Sequence, residues 1–154
     1  MKIQDILKEG FVLSDLSALE KKDALKELSA FLESKKAIKN QTDLLQSLLD
    51  RESLGSTGIG ENVAIPHAKS DQVKDIMAMF ARSTDGVNFD SLDQKPVHYI
   101  CLLIAPIHST GLHLKALARI AKLLKSSLLR QTILYAKSAE EIYSILTEED
   151  NKLD

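Results

Sequence analysis

Apolar residues recur along this 154-residue chain with two different periods, and the places where the period changes divide it into elements. Across Lys21–Ser34, the positions Ala24, Leu25, Leu28, Phe31 and Leu32 fall at helical spacing with charges on the other face, which predicts an amphipathic helix. A second helix should begin near Asn40 or Thr42, both suited to an N-cap. It carries Leu44, Leu45, Leu48 and Leu49 along one side until Gly55 ends it. Two runs lack helical phase. Residues 76–81 predict a strand, before Asp85 and Gly86 bend the chain. Val97–Ala105, apolar almost throughout and stopped by Pro106, predicts a central strand covered on both faces. After a loop over 106–111, a long helix begins near Ser109 or Thr110 and buries Leu117, Ile120, Ala121 and Leu124, and two more helical pieces follow around 128–136 and 139–146. Near the start, 3–7 predicts a turn of helix and 11–13 a short strand. Helices flanking strands make the class α/β.

Between the second helix and the 76–81 strand lies the stretch on which function turns, residues 48–69. After the charged pair Arg51 and Glu52 comes a loop with Gly55, Gly58 and Gly60, then a short apolar strand over 63–65 cut off by Pro66. Glycines accept left-handed dihedrals and let main-chain N–H groups approach an anion, so Gly58 and Gly60 are candidate phosphate-loop positions. The same glycines serve equally well to turn the chain, and no Gly-Lys-Ser/Thr of a Walker loop follows. Pro66 removes a donor and biases Ile65 toward extended backbone, so His67 leaves the strand end in a restricted direction. A neutral imidazole is nucleophilic and can carry a phosphoryl group, and a guanidinium offers paired hydrogen bonds to phosphate oxygens. Arg51 is the nearest such group, although at a helix end it also opposes the C-terminal dipole. His113 falls in the first turn of the long helix, on the stripe facing the sheet, where the dipole disfavours its protonated form and free N–H groups favour anions. A histidine that only packs there is the competing reading.

Composition narrows the function classes. With 20 basic and 22 acidic residues and a net charge of −2, nothing favours nucleic acid as a partner. The single Cys101 cannot form an internal disulfide and packs as a small hydrophobe, and no apolar run predicts a signal peptide or membrane span, so the expected location is cytoplasmic. The length, without repeat or linker, predicts one domain over 1–154. His98 in the central strand and His108 in the loop carry no chemical neighbours. His108 and His113 lack helical ligand spacing, so no metal site is expected.

The runs RESLGSTGIGENVAIPHAK and LLIAPIHSTGLHLKALARIAKLL resemble the enzyme IIA domains of the fructose and mannitol class of the bacterial phosphoenolpyruvate-dependent phosphotransferase system. Within that class they are most similar to the nitrogen-related branch. Gly-Ile-Gly, Ile-Pro-His and His-Leu-x-x-Leu stand in the family's order, and the likeness covers about residues 21–146. The resemblance implies a mixed β-sheet flanked by helices and a phosphoryl carrier without cofactor. It also implies that His67 accepts a phosphoryl group on Nε2 from the carrier protein HPr, with Arg51 and His113 stabilising the transferred group. An enzyme IIB domain or a regulatory target is implied downstream, and the resemblance leaves sugar uptake and nitrogen regulation both open.

Overall fold

The computed structural model describes residues 1–153. A 3-10 turn, Ile3–Asp5, leads into β1 (Leu7–Leu13), followed by α1 (Lys21–Ser34) and α2 (Gln41–Glu52). Three short strands come next, β2 (Gly58–Gly60), β3 (Val63–Ala64) and β4 (His67–Lys69), then the long β5 (Met77–Val87) and β6 (Val97–Ala105). The chain closes with α3 (Thr110–Leu124), α4 (Ser127–Leu134) and α5 (Ala139–Asn151). The strands form one mixed sheet in the order β1-β5-β6-β3-β2, with β4 also on β6.

Strand β6 is central, as its unbroken apolar run requires. Tyr99, Cys101 and Leu103 point into a core built with Ala116, Ile120, Ile133 and Ile142 of α3, α4 and α5. Ile100, Leu102 and Ile104 point the opposite way, into a core built with Leu25, Leu28, Leu44 and Leu48 of α1 and α2. Helices therefore cover both faces. Burial pushes the Cys101 thiol up to about 12, which removes its thiolate chemistry.

Several boundaries differ from expectation for identifiable reasons. Strand β5 runs past Asp85 and Gly86, because the chain there bulges instead of leaving the sheet: the register slips between Arg82 and Val87, Gly86 takes φ +90°, and its N–H donates to Ser83 Oγ at 2.9 Å. Strand β1 begins at Leu7, earlier than the apolar pattern suggests, because Lys8, Glu9 and Gly10 are exposed beside a bulge of their own. The glycine loop contains β2, which pairs with β3 through Glu61 and Asn62, both at positive φ, as a tight hairpin turn requires. On α3, Leu117 and Ala121 are only partly buried, and the stripe facing the sheet is His113, Ala116, Ile120, Leu123 and Leu124.

The interruption at Pro66 positions the site. β3 and β4 both run parallel to β6 in one unbroken register, Val63 opposite Tyr99 and His67 opposite Leu103. Pro66 has no N–H for the ladder, but its carbonyl still accepts from Leu103 N–H at 3.0 Å. Ile65 N–H turns the other way, to Thr57 O at 3.0 Å, leaving the Ile65 carbonyl available at the kink.

Candidate active site

His67 opens β4 at this kink, and both of its ring nitrogens are engaged. Nδ1 lies 2.8 Å from Ile65 O, and Arg51 Nε lies 3.2 Å from Nε2. A carbonyl only accepts and a guanidinium only donates, so Nδ1 carries the proton and Nε2 presents its lone pair. Two contacts on opposite sides of the ring select one neutral tautomer. The ring titrates below the ordinary 6.5, first because burial penalises the cation and also because of Arg51, against the Ile65 carbonyl and Glu52, which favour it. His67 is thus a neutral, oriented base with its nucleophilic nitrogen facing a cation.

Arg51 reaches this position from the last turn of α2, whose start is capped by Asn40 Oδ1 accepting from Asp43 N–H at 3.1 Å. Its Nη1 donates to Gly55 O at 2.9 Å, which orients the guanidinium plane. From the other side, α3 presents His113, whose ring meets His67 edge to face with 5.3 Å between centroids. His113 is only 6% exposed, and neither of its nitrogens has a hydrogen-bond partner among the described residues. Its basicity is lowered too, by burial first, then by His67 and Lys69. A buried polar group without a partner costs about 1–3 kcal/mol. Such a group is expected where a ligand completes it.

These three side chains line one cleft of about 520 Å³, together with Leu54, Lys69, Thr110, Leu114 and others. Leu54 and Leu114 are 83% and 62% exposed and form an apolar rim. A larger concavity, about 1080 Å³, opens between the 3-10 turn, the chain around 70–77, the 106–109 loop and the first turn of α3, but it contains none of these side chains. Chemistry, not volume, identifies the site.

The structure does not bring Gly58 and Gly60 to the cleft. A side chain at Gly58 would collide with Ser91, and Gly60, at φ +98°, packs against the Asp93 carboxylate. Close backbone approach is what these glycines supply. Conversely, Lys69 stands in the cleft with its Nζ on Thr110 Oγ1 at 2.9 Å. Its position two residues after His67 on a strand puts both side chains on one face, a signal visible only once residues past Pro66 are read as β. Glu52, buried beside Arg51, is the other residue that sequence reasoning left without a role. Among the described residues no group of three or more His, Cys, Asp or Glu could hold a metal ion, and no helix is long and apolar enough to cross a membrane.

The cleft thus joins a histidine whose Nε2 lone pair accepts from a guanidinium to a second imidazole unpartnered among the described residues, and comparison with known proteins places the chain that carries it in a family. Residues 5–149 match the family model described as phosphoenolpyruvate-dependent sugar phosphotransferase system, EIIA 2, and the chain belongs to that family. A nitrogen regulatory protein of Bradyrhizobium diazoefficiens is 38% identical over 146 residues, 95% of each chain. The fructose-specific EIIABC component of Bacillus subtilis is 34% identical over 150 residues, but the chain spans only 24% of that protein's length. Among solved structures, the nitrogen regulatory protein IIA-Ntr of Neisseria meningitidis has a TM-score of 0.85 at 36% identity, covering 94% of this chain and 99% of that one. The mannitol enzyme IIA of Escherichia coli, solved in complex with phosphorylated enzyme IIB, shares the fold with a TM-score of 0.78 at 19% identity.

Proposed function

We propose that His67 accepts a phosphoryl group on Nε2 from the phosphohistidine of HPr, and that Arg51 and His113 hold the oxygens of the transferred group. The observation that carries this reading is the pair of opposed contacts on His67, which leaves a lone pair only on the nitrogen that faces the cleft. The donor's N–P bond breaks as the Nε2–P bond forms, through a loose transition state whose charge spreads over three oxygens. As that bond forms, Arg51 Nε–H leaves the Nε2 lone pair for one of those oxygens, a short displacement from 3.2 Å. His113 gains the acceptor it lacks, and Nδ1–H stays on Ile65 O, which shares the positive charge developing on the ring. The exposed Leu54 and Leu114 provide an apolar rim for the donor to dock against and exclude water.

Downstream, the group either passes to an enzyme IIB partner or serves as the signal itself. The nitrogen regulatory relatives match over nearly their whole length, which favours a regulatory switch, while the fructose-specific relative supports the sugar-uptake alternative. A phosphate of about −1.5 to −2 charge set inside an apolar rim is sufficient to change which partners bind. The test is incubation with phosphoenolpyruvate, enzyme I and HPr. One acid-labile phosphate by intact mass on wild type and none on His67→Ala supports the proposal, whereas an uncharged wild type beside charged HPr overturns it.

A further inference from the structure

We infer that Glu52 is the positioning residue that sets both hydrogen bonds on the His67 ring, and so the fraction of the protein in the tautomer able to attack phosphorus. The inference rests on His67 being the phosphoryl acceptor, and Glu52 has no part in the transfer step described above. Its carboxylate lies at the end of α2 with the side chain 5% exposed. Three donors converge on it: Thr57 N–H on Oε1 at 3.0 Å, Thr57 Oγ–H on Oε2, and Lys21 Nζ on Oε1 at 3.0 Å. A buried carboxylate is tolerated only with such complete pairing.

Two chains of hydrogen bonds run from Glu52 to opposite sides of one imidazole, one from its main-chain carbonyl and one from its carboxylate through Thr57. Along the first, Glu52 closes the turn that ends α2: its carboxylate grips Thr57 at the far side while its own carbonyl accepts Gly55 N–H at 3.0 Å. The Gly55 carbonyl then accepts Arg51 Nη1 at 2.9 Å, and Arg51 Nε donates to His67 Nε2. Along the second, Thr57 O accepts Ile65 N–H at 3.0 Å, and the Ile65 carbonyl accepts His67 Nδ1–H at 2.8 Å. Lys21 extends the anchor to Ser56 Oγ at 3.3 Å and lies over the Phe89 ring at 4.9 Å, which fixes the turn to α1 and to the chain after β5. Glu52 is thus common to the acceptor on Nδ1 and the donor on Nε2. If Thr57 shifts, the Ile65 carbonyl shifts with it through Ile65 N–H and the Gly55 carbonyl through the short turn over 55–57, and the ring can take the Nε2–H tautomer, which has no lone pair facing the cleft.

Nitrogen spectra of 15N-histidine-labelled protein at neutral to alkaline pH report the tautomer directly, independently of phosphoryl transfer. Wild type should show His67 protonated on Nδ1 alone. Glu52→Gln, which cannot accept from all three donors, should give a mixture with the Nε2–H form. Its phosphoryl uptake from charged HPr should fall by about 10- to 100-fold, the range of a small misplacement of a reacting group. Glu52→Asp, which keeps a carboxylate, should recover part of both. A folded Glu52→Gln with the wild-type tautomer overturns the inference whatever its melting temperature. Should that variant fail to fold, Thr57→Val, which removes one donor and keeps the volume, decides in its place: a partial tautomer shift supports the anchor, and an unchanged ring refutes it. If wild-type protein takes no phosphoryl group, the acceptor reading fails while the tautomer result on Glu52 still stands or falls by itself.

Discussion

His67 and His113 meet edge to face in one cleft, yet the protein treats their nitrogens in opposite ways. On the β4 side, a kinked backbone and the end of α2 occupy both nitrogens of His67 and fix its tautomer. On the α3 side, His113 is buried with both nitrogens unpartnered among the described residues. On the proposed function, the difference separates two requirements of phosphoryl transfer. A nucleophile must be aimed before the reaction, whereas a group that stabilises the transferred oxygens is useful only if its hydrogen-bonding capacity is kept for them. His98 sharpens the point. Its Nδ1 also lies on a backbone carbonyl, Ser83 O at 2.7 Å, but among the described residues it has no cationic hydrogen-bond partner, and it does not line the cleft.

The largest test removes the aimed ring. His67→Ala should lower phosphoryl uptake from charged HPr by roughly 10³-fold or more, because no other described group is placed to replace the proposed nucleophile. Arg51→Lys should follow with a loss of about 10²-fold in rate, since an ammonium cannot hold the Gly55 carbonyl and a phosphoryl oxygen in one plane. His113→Leu should lower the rate less, by about 10-fold, and raise unfolding stability by about 1 kcal/mol in denaturant titration, since it removes buried unpaired nitrogens. A variant that loses both rate and stability would contradict the open-capacity reading of His113.

The pH dependence follows from the same burial. Both imidazoles titrate below 6.5 in the folded protein, so between those lowered values and 6.5 the unfolded chain binds more protons than the native one. Stability should therefore be complete above about 6.5, fall as pH drops through that window, and level off below the native values. The rate of uptake should fall with protonation of His67, at a midpoint below 6.5. The smallest effect belongs to His98→Phe, which should leave uptake unchanged and cost about 1 kcal/mol through the lost bond to Ser83 O.

Where local pattern and tertiary contact coincide, the chain was legible. The stripes of α1 and α2 and the run of β6 follow from periodicity alone, and helix ends and the proline kink mark out Arg51, His67 and His113. What escaped depends on partners distant in sequence. β4 is invisible because Pro66 interrupts the apolar pattern, and only pairing with the central β6 defines it as a strand. Gly58 and Gly60 look like a phosphate loop until Ser91 and Asp93 are packed against them. Glu52 resembles any charged residue at a helix end, and its burial depends on Lys21 and Thr57 converging from either side.

The most direct measurement identifies the nitrogen that carries phosphorus. Protein labelled with 15N-histidine is charged by phosphoenolpyruvate, enzyme I and HPr, and its ring nitrogens are examined for coupling to 31P. Phosphate is expected on Nε2 of His67, with Nδ1 still protonated against the Ile65 carbonyl. Phosphate on Nδ1 of His67 or on His113, or none while HPr is demonstrably charged, would contradict this expectation.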